Sequence, residues 1–284
     1  MQNYTEEFYE FVRKGAKESA KEIIPIVFEF IQPKSVIDVG CGLGTWLSVF
    51  QASGVEDVWG IDCDYVDQNI LEIPQERFFT FDLKSPFRLN RQFDLVVSLE
   101  VGEHLPNECA ETFVDSLTKL GSVILFSAAI PFQGGTKHIN EQWQDYWNSH
   151  FQEKGYVAID CIRNRVWQND RVEYWYAQNM LMFAKREYLN LESGYLLKQY
   201  FEKTNIQLDL VHPKKYLEVV EKCLETKEKY LAETKAAQWY AAEAEKYLAA
   251  ADPKNMSLKK VLSALPLVII NTLKRKVFEK ESYI

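Results

Sequence analysis

The sequence predicts an α/β protein with one seven-stranded, mostly parallel sheet, helices on both faces of the sheet, and a helical extension at the C-terminus. Short apolar runs rich in β-branched residues alternate with helical patterns over residues 30–185, which is typical of a parallel sheet. A glycine-rich turn joins the first run to a helical segment at 40–45. A stretch rich in Ala, Glu, Lys and Leu at 214–251 predicts a long helix.

The first strand is predicted at 36–39, where β-branched residues favour a buried strand. It is followed at once by three alternating glycines, Gly40, Gly42 and Gly44. Glycine lets the backbone turn tightly and approach a ligand closely, and ligands of α/β sheets bind at the carboxyl ends of the strands. A dinucleotide fingerprint would have its third glycine at position 45, where the chain has Thr45. A different nucleotide cofactor is therefore favoured.

Six further strands follow in order, and the first two of them lead into acids. They are expected at 58–62, 77–81, 93–99, 121–127, 156–162 and 178–184. Asp62 lies 18 residues after Gly44, close to the offset of roughly 20 residues at which an acid accepts ribose hydroxyls. Asp82 follows the third strand. These acids extend the predicted nucleotide site along the carboxyl edge of the sheet.

The acid and three glycines at 38–44, with the acids after the second and third strands, resemble the motifs of class I S-adenosylmethionine-dependent methyltransferases. The resemblance covers residues 30–185 and implies a Rossmann-like methyltransferase sheet that binds S-adenosylmethionine. It implies that Asp62 binds the ribose and that Asp82 lies near the adenine. The full set of cofactor-binding residues that it implies is Asp38, Gly40, Gly42, Gly44, Asp62, Asp82, Leu83 and Leu99.

Carboxylates and imidazoles gather after the fourth and fifth strands. Glu100, Glu103 and His104 follow the fourth strand, and His138 follows the fifth. Carboxylate and imidazole together suit divalent ions such as Mg, Mn, Fe or Co. The Glu-x-x-Glu-His pattern with a later His resembles metal-dependent small-RNA 2′-O-methyltransferases and sugar O-methyltransferases. That resemblance implies that these four side chains are the metal ligands.

Two other interpretations of this cluster stay open. His104 or His138 could act as a general base without a metal, since one imidazole within hydrogen-bonding reach of a hydroxyl is sufficient. The Glu and His side chains could also be structural, capping the next helix or shaping the pocket. His104 and His138 are accordingly the candidate catalytic residues.

The segment between the sixth and seventh strands mixes arginines with aromatic residues. Guanidinium groups can bind phosphate bidentately, and flat aromatic faces stack on rings. The segment therefore predicts contacts with a polar, ring-shaped acceptor such as a nucleotide-linked sugar. An ordinary hairpin whose arginines pair with surface acids is the alternative. The candidate substrate-binding residues are Arg163, Arg165, Trp167, Arg171 and Trp175.

An aromatic stripe is predicted on a helix at 141–151. Trp143, Tyr146, Trp147 and Phe151 recur at intervals of three and four residues, which indicates a face that packs in the core. The first turn of this helix comes soon after His138 in the chain. Contact between that turn and the substrate is therefore a second expectation.

The chain is expected to divide at 187 into a methyltransferase domain and a helical extension. Within the first part, helices at 1–32 are expected to cap the cofactor site. The extension at 188–284 contains the long helix at 214–251 and a basic amphipathic tail at 254–284. The long helix is a candidate for self-association. The tail either lies on an anionic membrane surface or packs on its own domain.

Charge and composition restrict the partners. The net charge of −8 argues against nucleic acid, since Lys and Arg drive that binding. The five cysteines occur singly, which favours a reducing compartment. The N-terminus is acidic and the apolar runs are too short to span a bilayer. We expect a cytoplasmic enzyme, membrane-associated if the tail binds lipid.

The sequence therefore predicts a methyltransferase that modifies a sugar hydroxyl with the help of a divalent metal. The acceptor is expected to be a small molecule or glycan, either a nucleotide-linked sugar or a surface-glycan residue. Methylation of the terminal 2′-hydroxyl of RNA is the alternative function. A weaker alternative is a non-catalytic scaffold, which the intact acids and glycines of the cofactor motif argue against.

Overall fold

The computed structural model describes residues 6–250 and contains the predicted seven-stranded sheet. The strands are β1 Ser35–Val39, β2 Asp57–Asp62, β3 Phe78–Thr80, β4 Leu95–Leu99, β5 Val123–Ser127, β6 Tyr156–Ile159 and β7 Leu181–Lys185. Their spatial order is β3-β2-β1-β4-β5-β7-β6. Only β7 runs antiparallel to its neighbours, so the carboxyl ends of β1, β4 and β5 share one edge of the sheet.

Helices cover both faces of the sheet. They are α1 Glu6–Phe30, α2 Thr45–Ala52, α3 Ala110–Leu120, α4 Gln144–Glu153, α5 Arg163–Val166, α6 Tyr174–Asn179 and α7 Tyr195–Lys203. A further helix, α8 Pro213–Ala250, follows α7 in the chain. Successive strand residues point to opposite faces, so Val36 and Ile37 enter different apolar layers. The layer of Val36 includes side chains of α1 and α2. The layer of Ile37 includes side chains of α3 and α4.

The aromatic stripe of α4 packs in the core, as predicted. Trp147 and Phe151 are almost completely buried. Trp147 fits because residue 102 is glycine, where a Cβ atom would lie 2.7 Å from the indole ring. Trp143 comes just before α4 and is exposed.

The segment between the sixth and seventh strands is not the ordinary hairpin that was the alternative interpretation. Strand β6 ends at Ile159, and the following segment folds into the short helices α5 and α6. Arg163 stabilises this arrangement from a completely buried position. Its guanidinium donates to the Asp160 carboxylate at 2.9 Å, and to the carbonyl oxygens of Gln178, Gln207 and Leu208 at 3.3, 2.5 and 2.6 Å.

The chain divides into two compact units between Tyr216 and Leu217, so the boundary expected at 187 falls too early. Leu197 of α7 is completely buried, and His212 donates its backbone N–H to the Gln178 side chain at 2.8 Å. Residues 188–212 therefore pack with the sheet. The N-terminal segment forms one helix, α1, rather than several.

The C-terminal unit is described as far as the end of α8. The long helix predicted at 214–251 is α8, Pro213–Ala250. The basic tail predicted at 254–284 lies outside the described residues. Among the described residues, no helix has both the length and the apolar character that a membrane span requires.

Arg163 and Arg165 provide a matched test of this account. Arg163→Ala would remove the guanidinium donor of the Asp160 carboxylate and of three carbonyl oxygens, so we expect the free energy of unfolding to fall by about 3 kcal/mol. Arg165 is partly exposed and pairs with Glu29 on the surface, so Arg165→Ala should cost less than about 1 kcal/mol. Urea denaturation followed by circular dichroism measures both losses. Equal losses would contradict the structural role of Arg163.

Candidate active site

The three predicted glycines form the turn between β1 and α2. Gly40, Gly42 and Gly44 have φ angles of 84°, 53° and 82°, which side chains other than glycine rarely adopt. Space also requires glycine at position 40, because a Cβ atom there would lie 2.3 Å from the Val101 side chain. The N–H of Gly40 donates to the Ile61 carbonyl oxygen at 2.7 Å. The turn is thereby held against the end of β2.

Two buried acids lie beside this turn. The Asp62 carboxylate accepts the N–H groups of Gly42 and Cys63, each at 2.7 Å. Asp38 is also buried. Burial, and then the negative charge of Asp62, raise the pKa of Asp38 well above its usual value. The turn therefore combines a backbone that a ligand can approach closely with two acids that are shielded from solvent.

The remaining predicted cofactor residues lie after β3 and at the end of β4. Asp82 is exposed and accepts the N–H of Lys84 at 3.1 Å. Leu83 is buried, and Leu99 is half-buried opposite Ser127. The ends of β3 and β4 lie at the same edge as the glycine turn. This edge of the sheet therefore has one exposed carboxylate, that of Asp82, and the apolar side chains of Leu83 and Leu99.

Glu72 connects this turn to α1 and was not found from the sequence. Its carboxylate accepts the Thr45 hydroxyl at 2.7 Å, at the start of α2. It also accepts the Lys17 ammonium at 2.7 Å and lies 3.4 Å from the Arg13 guanidinium. Its backbone N–H donates to the Leu43 carbonyl oxygen at 2.7 Å. A single acid in the connection after β2 gave no periodic or motif signal.

Three of the four predicted metal ligands come together at the carboxyl edge of β4 and β5. One ligand atom from each of Glu103, His104 and His138 lies within 4.8 Å of the others. The rings of His104 and His138 meet edge to face, with centroids 4.9 Å apart. The Nε2 atom of His138 lies 4.0 Å from Oε1 of Glu103. Two imidazoles and a carboxylate therefore converge on one point.

Glu103 is completely buried, and neither of its carboxylate oxygens has a hydrogen-bond partner among the described residues. Burial, and then the negative charge of Glu100, raise the pKa of Glu103 well above its usual value. A buried acid without a partner is costly. Such a group indicates a ligand, or a proton, as its missing partner.

Glu100 stands outside this group, contrary to the four-ligand expectation. Its carboxylate accepts the side-chain amide of Gln133 at 2.9 Å and that of Asn179 at 3.1 Å. Its backbone has the unusual φ angle of 55°, and its N–H donates to the Ser127 hydroxyl at 3.1 Å. Burial raises the pKa of Glu100, although these donors favour the ionised form.

His138 is held by Glu141, a residue that the sequence did not single out. The Nδ1 atom of His138 lies 2.9 Å from the Glu141 carboxylate. The carbonyl oxygen of Glu103 accepts the N–H groups of Ile139 and Asn140 at 2.9 and 3.0 Å. The loop that carries His138 is therefore attached directly to the residue beside His104. A histidine followed three residues later by an acid is too common a pattern to reveal this contact.

The predicted substrate arginines are engaged within the protein. Arg163 is buried, as described above. Arg165 forms a bidentate pair with Glu29, with both distances 2.7 Å. Arg171 lies 3.0 Å from Glu22. Both acids belong to α1, so the alternative that the arginines pair with acids describes these contacts.

The two predicted substrate tryptophans have different surroundings. Trp175 is partly buried and packs against the core, with its ring centroid 6.0 Å from that of Tyr176. Trp167 is half-buried and lines two concavities of about 290 and 620 Å³. The smaller concavity is also lined by Tyr174 and His212. Of the five predicted substrate residues, Trp167 therefore lines both concavities, and Arg165 lines the larger one.

Several solved structures of methyltransferases are similar to this chain. Magnesium protoporphyrin IX methyltransferase from Synechocystis PCC 6803, with bound SAM, is 18% identical over 65% of this chain and 86% of that one, with a TM-score of 0.47. The methyltransferase domain of bacterial CtHen1 is 19% identical over 60% and 99%, with a TM-score of 0.42. CalS10, an amino pentose methyltransferase from Micromonospora echinaspora, is 14% identical over 65% and 99%, with a TM-score of 0.45.

No curated protein matches the sequence. A family model described as a methyltransferase domain matches residues 11–211, which is more than half of the 284 residues. That range contains the whole sheet, the glycine turn and the cluster of Glu103, His104 and His138. The chain therefore belongs to the methyltransferase domain family and is a class I, S-adenosylmethionine-dependent methyltransferase.

Proposed function

We propose that this enzyme is an O-methyltransferase that modifies a hydroxyl group of a sugar in a glycan, with a divalent metal held by Glu103, His104 and His138. The observation that carries the proposal is the convergence of these three side chains within 4.8 Å. They lie at the end of β4 and after β5, at the same edge of the sheet as the glycine turn. A methyl donor in the turn and a hydroxyl at the cluster would be neighbours.

The donor side of the site rests on the glycine turn and its acids. Asp62 lies at the end of β2, where an acid accepts ribose hydroxyls in nucleotide-binding sheets. Asp82 is exposed after β3 and can meet a polar edge of the adenine. Leu83 and Leu99 offer apolar surface between these polar groups. The methyl group would then point towards β4.

The donor set fits a divalent metal. Glu103 has two buried oxygens without hydrogen-bond partners among the described residues, and a cation would supply the missing partner. One carboxylate and two imidazoles suit Mn, Fe or Co, and also Mg when water completes the shell. When bound, such an ion would lower the pKa of the acceptor hydroxyl and orient it for attack on the methyl group.

Each of the two histidines can bind a metal ion or accept a proton. Partial burial, and then the charge of His138, lower the pKa of His104, although the residue as a whole is exposed. His138 is anchored through Nδ1 by Glu141, which leaves Nε2 facing Glu103 at 4.0 Å. Either ring could serve as a general base if no metal takes part.

The contacts of the three predicted substrate arginines affect which acceptor the site can bind. Arg165 and Arg171 are paired with acids of α1, and Arg163 is buried. The phosphate contacts expected for a nucleotide-linked sugar therefore lose their candidate residues. The net charge of −8 also disfavours RNA. A neutral sugar residue of a glycan is the acceptor that these charges favour.

Removal of divalent ions tests the metal. Treatment with excess EDTA is expected to abolish methyl transfer, and Mn or Mg should restore it. Glu103→Ala should lower the rate by about a hundredfold or more while leaving S-adenosylmethionine binding by calorimetry unchanged. Glu108→Ala, which removes an exposed carboxylate nearby, is the control. Full activity of both the chelated enzyme and Glu103→Ala would refute the metal.

Glu103 should also make the stability of the metal-free protein depend on pH. Its folded pKa is raised above 4.5, so the folded state holds the proton more tightly than the unfolded state. Stability is therefore present below the unfolded pKa and is lost as pH rises towards the folded pKa. The melting temperature of Glu103→Gln minus that of the native protein should therefore grow as the pH rises above about 4.5, by about 2–4 °C per kcal/mol. A constant difference would contradict burial of the acid without a partner.

A screen of acceptors separates the candidate functions. Neutral oligosaccharides, nucleotide-linked sugars and short RNAs are incubated with labelled S-adenosylmethionine and Mn, and the products are identified by mass spectrometry. We expect a mass gain of one methyl group on a neutral sugar residue. Methylation confined to the RNA 3′ end would instead support the alternative function. No donor binding and no product in any arm would revive the scaffold interpretation.

A further inference from the structure

The loop between β5 and His138 contains a strained, exposed aromatic residue. Phe132 has a φ angle of 68°, and its side chain is 82% exposed. A bulky residue in the left-handed region is uncommon and costs free energy. Such strain persists where the surroundings enforce it, and it clusters at functional sites. Phe132 is the third residue of a β-turn in which Pro131 is second and the Gln133 N–H donates to the Ile130 carbonyl oxygen at 3.0 Å, and this position of a type II turn has a positive φ. Its exposed ring is not held by the core.

Glu141 enforces the conformation of this loop. Its Oε2 atom accepts the backbone N–H of Phe132 at 2.8 Å. Its Oε1 atom accepts the backbone N–H of Gly134 at 2.6 Å. Oε1 also lies 2.9 Å from Nδ1 of His138. One carboxylate therefore fixes the loop backbone and the imidazole together.

Gly135 joins the same loop to the same imidazole. Its φ angle is 153°, and a Cβ atom at this position would lie 2.2 Å from Nε2 of His138. The backbone of Gly135 therefore packs directly against the ring. Glu141 holds the ring from one nitrogen, and Gly135 lies close to the other. The loop at 132–135 and His138 form one unit.

The contact with Glu141 also decides which nitrogen of His138 carries the proton. An ionised carboxylate only accepts hydrogen bonds, so Nδ1 must donate to it. The neutral ring then has its lone pair on Nε2, which faces Glu103 at 4.0 Å. Carboxylates that hold metal-binding histidines in this way raise the basicity of the ligand.

We propose that Glu141 is a positioning residue with two linked tasks. It keeps the lone pair of His138 on Nε2, and it holds the loop so that Phe132 presents its ring to the acceptor. The ring is exposed, and its backbone is bonded to the same carboxylate as His138, so its apolar surface is suited to the C–H face of a sugar ring. The proposal rests on the function proposed above, and it adds Phe132 as the acceptor contact and Glu141 as the residue that couples this contact to His138.

The first test follows the proton of His138 in the full chain. In ¹⁵N-labelled native protein, Nδ1 should appear protonated and Nε2 unprotonated, with or without metal. Glu141→Gln should shift the ring towards a mixture of both neutral forms, and Glu141→Asp should recover part of the native signal. Glu111→Gln, which changes an exposed carboxylate of α3, is the control. Native-like signals in Glu141→Gln would overturn the proposal.

The second test uses Mn alone as the probe of the coupled site. Loss of a carboxylate that orients a metal-binding histidine typically weakens the metal by 10–100-fold. Calorimetric titration of Glu141→Gln with Mn should therefore show a dissociation constant raised by about tenfold or more, while Glu111→Gln matches the native protein. Absence of Mn binding in the native protein would count against the metal and not against the tautomer, which the NMR measurement judges separately.

The third test examines Phe132 with methyl glycosides as acceptor probes. Phe132→Gly relieves the left-handed strain, so its melting temperature should equal or exceed the native value. Its saturation-transfer signal from methyl glycoside C–H protons should fall at least severalfold. Tyr195→Ala removes another exposed aromatic ring and should leave that signal unchanged. A lower melting temperature with an unchanged signal would show that Phe132 is structural and would overturn its role as an acceptor contact.

Discussion

The candidate site depends on one backbone carbonyl group. The carbonyl oxygen of Glu103 accepts two consecutive N–H groups, those of Ile139 and Asn140. These bonds join the connection after β4 to the connection after β5, and they bring His138 beside His104 and Glu103. The parallel pairing of β4 with β5 provides the approach, but adjacent strand ends alone do not fix two loops at hydrogen-bonding distance. The shared carbonyl converts neighbouring loops into one cluster.

The same cluster contains a buried carboxylate whose hydrogen bonding is not satisfied within the part of the chain that the structure describes. Glu103 is buried beside two histidines, and its carboxylate oxygens have no hydrogen-bond partner among the described residues. The neighbouring Glu100 instead accepts hydrogen bonds from the amides of Gln133 and Asn179. Two acids three residues apart therefore have opposite roles. Glu100 is a structural centre for the amides around it, and Glu103 keeps its lone pairs available. An unsatisfied group persists in a native protein when function needs it.

The sequence predicted the sheet and the glycine turn because both depend on local signals. Alternating runs of β-branched residues mark strands, and positive φ angles demand glycine at 40, 42 and 44. The residues missed by sequence reasoning, Glu72 and Glu141, act through contacts between connections. Such contacts leave no periodicity. Arg163 was misjudged for the same reason, since its partners at 160, 178 and 207–208 meet only in the folded chain.

Helix α1 explains why the two sides of the site are held together. On one side, Lys17 and Arg13 of α1 form ion pairs with Glu72. Glu72 in turn accepts the hydroxyl of Thr45, which begins α2 directly after the glycine turn. On the other side, Glu22 and Glu29 engage the arginines of the segment after β6; these pairs are Arg171 with Glu22 and Arg165 with Glu29. Charged side chains of α1 therefore connect both the glycine turn and the segment beside Trp167 to the same helix. Each exposed pair contributes little alone, but all of them fix the same helix, which is packed by the buried Ile23 and Val27. Charges that suggested phosphate recognition in the sequence therefore form ion pairs within the protein, and our proposal assigns contact with the acceptor to an uncharged side chain, Phe132.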